Sequence, residues 1–257
     1  MPRRVCYMMD DFIVNFGAKL IAKEIPAWFS QLSSDWANSD GFNYYLEGNY
    51  REAIECYTRA ISQNPKNTTA YINRALALYE FGNTKQAIKD LSTVVSIDPL
   101  NFWGYYFRGK ILWETGEKER AIEDWEQALS VNPLSVETYT RLGYALLALE
   151  KYNEAIENFT QIIRLNPNDA EAYLSRSFAK YVSGDNQGAI EDYTQAININ
   201  PNYAQAYYNR GLVKYDLGDK QGALSDLRTA VQLFQQTGDQ IGYQKVLREA
   251  QKRSLLL

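Results

Sequence analysis

The sequence predicts an all-α array of six helical hairpins, and three periodic features lead there. Pro65, Pro99, Pro133, Pro167 and Pro201 stand 34 residues apart, each directly behind an Asn or Asp. Alanine recurs on the same period at Ala53, Ala87, Ala121, Ala155, Ala189 and Ala223. Glycine recurs between the two series at Gly48, Gly82, Gly116, Gly184 and Gly218. A fixed period of this length is the signature of a stacked repeat, one supersecondary unit per copy.

The prolines set the frame. Proline has no amide for a helix interior and forces the residue before it out of the helical region, so each Asn/Asp-Pro pair marks a helix end. Counting back 31 residues from each proline gives repeats at 34–67, 68–101, 102–135, 136–169 and 170–203. A sixth runs 204–237, with Gln235 where the proline would stand. Positions are numbered 1 to 34 within this frame. Position 15 carries the glycines, which can adopt the left-handed conformation that ends a helix. The spacing therefore predicts two helices per repeat, about 70–81 and 85–97 in the second.

Position 4 is aromatic in five repeats (Tyr71, Tyr105, Tyr139, Tyr173, Tyr207), and position 8 is small (Gly41, Ala75, Gly109, Gly143, Ser177, Gly211). Small residues at positions 8 and 20 let the two helices of a hairpin approach closely. This pattern resembles the tetratricopeptide repeat family, whose signature has an aromatic, a small residue, an alanine and a late proline on the same period. The resemblance covers residues 34–237, and its wording is similar to bacterial members, cyanobacterial ones among them. It implies a right-handed superhelical solenoid in which neighbouring hairpins bury a continuous core. No single hairpin can bury its apolar face alone.

Composition excludes several function classes. The chain has no histidine, so the usual general base, the commonest metal ligand and every Ser–His or Cys–His nucleophile pair are missing. Cys6 and Cys56 are isolated and make no metal cluster, and they read as free thiols of a cytoplasmic protein. The net charge of −4 provides no field for a phosphate backbone, which argues against nucleic acid as a partner. Every glycine-rich stretch belongs to a repeat turn, so there is no phosphate loop. No catalytic residue, cofactor or metal is expected, and no enzyme activity.

Position 7 is Arg74, Arg108, Arg176 and Arg210 in repeats two, three, five and six. In those four repeats position 23 is Asp90, Asp124, Asp192 and Asp226. The remaining repeats pair Asp40 with Cys56 and Leu142 with Asn158. Positions 7 and 23 lie equally far from a turn at position 15, so an antiparallel hairpin sets them opposite each other. Four intra-hairpin Arg–Asp ion pairs are expected; the alternative is a row of ligand-binding arginines.

The family resemblance implies that the first helices line a concave groove through positions 2, 5, 9, 12 and 13. Position 12 reads Tyr45, Tyr79, Trp113, Leu147, Tyr181 and Tyr215. Trp103 at position 2, Tyr106 and Tyr208 at position 5, and Lys110 and Tyr144 at position 9 complete the candidate contacts. Acidic residues at positions 2, 9 and 13 (Asp35, Glu80, Glu114, Glu137, Glu171, Asp216) face Lys110 as the one base. An aromatic groove with an acidic rim suits a protein or peptide segment with aromatic, apolar and some basic side chains. For any single tyrosine the alternative is packing between neighbouring helices. The clamp by which some family members grip acidic chaperone tails needs Lys, Asn, Asn, Lys and Arg, in that order, at places that hold Asn38, Phe42, Asn73, Trp103 and Phe107 here, so that Asn73 alone matches in this register. A chaperone-tail clamp is therefore not expected.

Residues 1–33 are expected to form a helical cap or docking segment, with Pro26 ending an amphipathic run over 10–25. Met8 and Met9 offer alternative translation starts. Residues 238–257 are expected to form a closing helix and tail. Repeat four has Glu150 in place of the turn glycine, so its first helix is expected to end differently. The function that follows is a non-catalytic scaffold or adaptor. The alternative is an assembly factor for a membrane complex, a photosynthetic one for example, touching membrane through the amino-terminal segment alone.

Overall fold

The computed structural model describes residues 40–256, and the expectations for residues 1–33, Asp35 and Asn38 lie outside them. Every regular element among the described residues is helical. In chain order these are α1 Asp40–Leu46, α2 Tyr50–Gln63, α3 Thr68–Glu80, α4 Thr84–Ile97, α5 Phe102–Glu114, α6 Lys118–Val131, α7 Val136–Ala148, α8 Tyr152–Leu165, α9 Ala170–Ser183, α10 Asn186–Ile199, α11 Ala204–Asp216, α12 Lys220–Thr237 and α13 Gln240–Lys252. The expected fold class is thus adopted, six helical hairpins in tandem followed by one closing helix. No helix among the described residues is long and apolar enough to cross a membrane. The helices fall into two compact units that divide at Thr138–Tyr139, in the first turn of α7.

The helix ends follow from local chemistry. Asn64, Asp98, Asn132, Asn166 and Asn200 leave the helical region, with φ between −127° and −136°. Their side chains then accept the backbone N–H two residues on, as in Asp98 Oδ1 with Leu100 N at 3.1 Å. Most of the following helices start on a capping residue. Asn67, Asn101, Asp169, Asp185, Asp219 and Asp239 each accept the N–H three residues ahead at 2.8–3.0 Å. Each such cap is worth about 1 kcal/mol.

Position 15 ends the first helix of each hairpin in the left-handed conformation, with Gly82 at φ 90° and Gly184 at φ 98°. Glu150 takes the same conformation at φ 59°. The expectation of a different ending in repeat four is therefore not met: α7 stops at position 13, as α3 and α5 do. The backbone geometry of the hairpin overrides the side chain's preference.

Helices pack against their chain neighbours in each unit, α1 through α6 in the first and α8 through α13 in the second. All six position-20 alanines are fully buried. The reason for a small residue at position 8 is visible at Gly109, where an added Cβ would lie 2.8 Å from Trp125 Nε1. That indole donates to the carbonyl of Tyr106 on the facing helix at 3.3 Å. α13 packs on α12 and buries Val246 and Ala250, so the last hairpin's apolar face is covered.

Candidate interaction surface

The four arginines point at their own repeat's aspartate, as the spacing predicted. Arg74 donates through Nε and Nη2 to the two oxygens of Asp90, at 2.7 and 2.9 Å. Arg108–Asp124, Arg176–Asp192 and Arg210–Asp226 repeat this fork at 2.7–2.8 Å. Each guanidinium also lies 5.5–5.7 Å from the centre of the position-4 tyrosine ring three residues earlier. Hydrogen bonding to Asp124 raises Arg108 above its ordinary value, against the opposing effect of burial.

The third nitrogen reaches a partner that the sequence reading missed. Nη1 of Arg74, Arg108, Arg176 and Arg210 donates to Thr58, Ser92, Thr160 and Thr194 of the preceding repeat, at 3.0–3.2 Å. Each of these hydroxyls sits at position 25 and gives its own proton to the carbonyl four residues back in its helix, at 2.7–2.8 Å. Its lone pair is left to accept the guanidinium. The signal was present in the sequence: position 25 is a hydroxyl only before a repeat that carries the arginine, and is Glu126 and Arg228 elsewhere. These arginines are braces of the scaffold, each joining its own hairpin to the previous one.

A second set of links crosses the surface formed by the first helices. The Tyr79 hydroxyl donates to Glu114, and that of Tyr181 to Asp216 at 2.6 Å. Both join position 12 of one repeat to position 13 of the next. Glu80 stands in the same relation to Tyr45, whose phenol is pushed upward by burial first and by the Glu80 charge second. Where position 12 is Trp113 or Leu147 instead, the next repeat's position 13 is Ala148 or Val182. Acidic residues at position 13 therefore occur only after a repeat with tyrosine at position 12, and Glu114 and Asp216 accept that tyrosine's hydroxyl. The position-2 acids behave alike, with Tyr106 donating to Glu137, and Tyr144 at 3.1 Å and Tyr203 both donating to Glu171. The acidic rim read from the sequence is in large part a ladder of tyrosine acceptors.

The ten candidate contacts divide by burial. Tyr45, Tyr106 and Tyr208 are buried between helices and offer a partner almost no area. Tyr79, Trp103, Lys110 and Trp113 are half-buried in the amino-terminal unit, and Tyr144, Tyr181 and Tyr215 in the carboxy-terminal unit. Trp103 stacks on Phe107 at 5.5 Å and meets Phe102 and Tyr106 edge-on. Lys118 lies 5.4 Å over the Trp113 ring, whose other neighbour is Trp125 at 6.0 Å. Tyr215 is engaged by the chain end: its hydroxyl donates to the Arg253 carbonyl at 3.1 Å, under the Arg253 guanidinium. Tyr144 donates to Glu171 and shares a 2.8 Å hydrogen bond with Ser175. Burial, followed by the Glu171 charge, holds its phenol well above the ordinary value.

Comparison with known proteins agrees with this geometry. Models described as TPR repeat match residues 41–82 and 179–218, and models described as tetratricopeptide repeat match 68–99, 102–135, 136–169 and 204–237. Together they take in more than half of the chain. The human, mouse and rat small glutamine-rich tetratricopeptide repeat-containing protein beta is 43% identical over 44 residues, 17% of this chain and 14% of that protein's length. Among solved structures, the carboxy-terminal part of a TPR repeat-containing protein from Cytophaga hutchinsonii superposes with a TM-score of 0.69 at 22% identity, over 82% of this chain and 83% of its own. YrrB, described as a TPR protein with an unusual peptide-binding site, superposes with a TM-score of 0.65 at 23% identity, over 76% of this chain and 100% of its own. MamA gives a TM-score of 0.58 at 23% identity, over 65% of this chain and 97% of its own. At such identities these likenesses speak for the fold alone. The repeat period, the hairpin geometry and the sequence matches converge, and the chain belongs to the tetratricopeptide repeat family.

Proposed function

We propose that this protein is a non-catalytic interaction scaffold that holds a segment of a partner protein on the aromatic face of its first helices. The observation that carries the reading is the half-exposed Trp113 and Tyr79 on successive first helices of the amino-terminal unit, with Trp103 and Lys110 on the same helix as Trp113. The carboxy-terminal unit offers Tyr144, Tyr181 and Tyr215 at corresponding positions. Tyrosine and tryptophan supply contact area with a hydrogen-bonding tip at low entropic cost, which is why they dominate binding hot spots. Tyrosine hydroxyls held by carboxylates have fixed rotamers, so little freedom remains to be lost on binding. The partner segment carries aromatic and apolar side chains with some basic ones, to complement the aromatic rings and the carboxylates that line the same face.

The test is quantitative affinity capture with the wild-type chain, Trp113→Ala, and a control substitution at exposed Lys89. Truncating a hot-spot aromatic costs about 2 kcal/mol or more, so a specific partner should fall roughly thirtyfold in affinity with Trp113→Ala alone. Equal capture by all three proteins would remove the aromatic face from the proposal.

A further inference from the structure

The arginine braces tie four of the five seams between successive repeats. Arg74, Arg108, Arg176 and Arg210 reach back to Thr58, Ser92, Thr160 and Thr194, joining repeats one to two, two to three, four to five and five to six. The tyrosine ladder adds Tyr79 with Glu114 and Tyr181 with Asp216 at two of these same seams.

The seam between repeats three and four has the residues for neither link. Its position 7 is Leu142, buried and without a donor, and its position 25 is Glu126, which is exposed. Asn158, at the place of the braced aspartates, donates back to the Glu154 carbonyl of its own helix at 2.9 Å. Trp113 at position 12 is followed by Ala148 at position 13, whose side chain accepts nothing. The Tyr106–Glu137 hydrogen bond ends in the first turn of α7, on the amino-terminal side of the division at Thr138–Tyr139. The division into two compact units thus falls at the one seam that has the residues for neither link.

In a stacked array each repeat contacts only its neighbours, so cooperativity passes along the chain through the seams and breaks at the weakest one. Opening a braced seam strips a guanidinium of a partner where water barely reaches, whereas a seam without the brace opens with no charge stranded. We propose that, for want of the brace, the protein opens first between repeats three and four, and that the two units unfold as separate cooperative blocks. Each block keeps half-exposed aromatics of its own, Tyr79 and Trp113 in one and Tyr181 in the other, so either face persists while the other block is open. This separation holds whatever those faces bind.

The tryptophans supply a probe confined to one block. All five, Trp28, Trp36, Trp103, Trp113 and Trp125, precede Thr138, whereas both blocks contribute to the helical circular dichroism. Arg210→Ala breaks a brace inside the carboxy-terminal block of the full chain. It should move that block's share of the circular-dichroism loss to lower urea by about 1 M or more, with the tryptophan-fluorescence midpoint unchanged. A fluorescence midpoint that falls together with the circular dichroism would overturn the proposal, because coincident probes mean one cooperative unit. Glu126→Thr, Leu142→Arg and Asn158→Asp rebuild the brace at the bare seam, where Tyr139 already holds position 4. Added to Arg210→Ala, these three changes should bring the two signals into a single transition. Two separate transitions in the grafted chain would likewise overturn the proposal; if that chain does not fold, the Arg210→Ala comparison decides alone.

Discussion

Arg74 is bonded on three sides: to Asp90 through a fork, to Thr58 through its third nitrogen, and to the face of Tyr71. With side-chain exposures of 15% for Arg74 and 3% for Asp90, removing one partner strands the other in a place that water barely reaches. Arg74→Ala should therefore lower unfolding stability by about 3–5 kcal/mol. The double change Arg74→Leu with Asp90→Asn copies the Leu142/Asn158 pair of repeat four and should recover most of the loss, as read by urea denaturation. A double variant as unstable as the single one would mean that the brace is needed as an ion pair. Tyr144 and Tyr203 make a second prediction. Burial raises both phenols above the ordinary value of 10.0, with Glu171 the next cause, so the folded state keeps a proton that the unfolded chain releases. Their contribution is complete below pH 10.0 and is lost as pH rises from there towards the folded-state values. The urea midpoint should fall steeply above that pH, and Tyr144→Phe should flatten the fall.

At the scale of the element, each hairpin turn depends on one left-handed residue. Five turns use glycine for it, while repeat four uses Glu150 at φ 59°. An L side chain in that conformation costs about 1–2 kcal/mol through the contact of its Cβ with the carbonyl. Glu150→Gly should accordingly stabilise the protein by about 1 kcal/mol, offset in part by the greater freedom glycine gives the unfolded chain. A loss of stability on thermal denaturation would show that Glu150 makes a compensating contact. The helix ends were legible because they are local: Asn-Pro, Asp-Pro and the turn glycines act through their own backbone within a few residues. The exception was legible only in part. Glu150 marked an unusual turn, but the geometry it adopts is imposed by α7 and α8 packing across Gly143 and Phe159.

At the scale of the molecule, each hairpin within a compact unit contacts chiefly its chain neighbours, so the stability of a unit is close to a sum of hairpin terms and nearest-neighbour terms. The last hairpin has a neighbour on one side only, and α13 stands in for the other. It buries Val246 and Ala250, while Arg228 donates to the Leu256 carbonyl at 3.2 Å and Tyr215 to that of Arg253. Deleting residues 239–257 should bare the apolar face of α12, including Leu233 and Phe234. The truncated chain should unfold at lower urea and self-associate more than the intact chain in sedimentation velocity, and unchanged sedimentation with equal stability would show that α13 closes nothing.

The sequence alone determined the period, the small residues at the close crossings and the Arg–Asp pairs. All of these are relations inside one repeat, where the antiparallel turn makes separation in sequence equivalent to position in space. Tertiary structure decided what passes from one repeat to the next. The arginine's third bond to position 25, and the tyrosine at position 12 that holds the acid at position 13 of the following repeat, depend on how neighbouring hairpins are offset, which no periodicity specifies. Packing buried Tyr106 and Tyr208 at position 5, and Tyr45 at position 12, and left Tyr79, Trp113 and Tyr181 at position 12 half-exposed, although all six read alike as groove aromatics in the sequence.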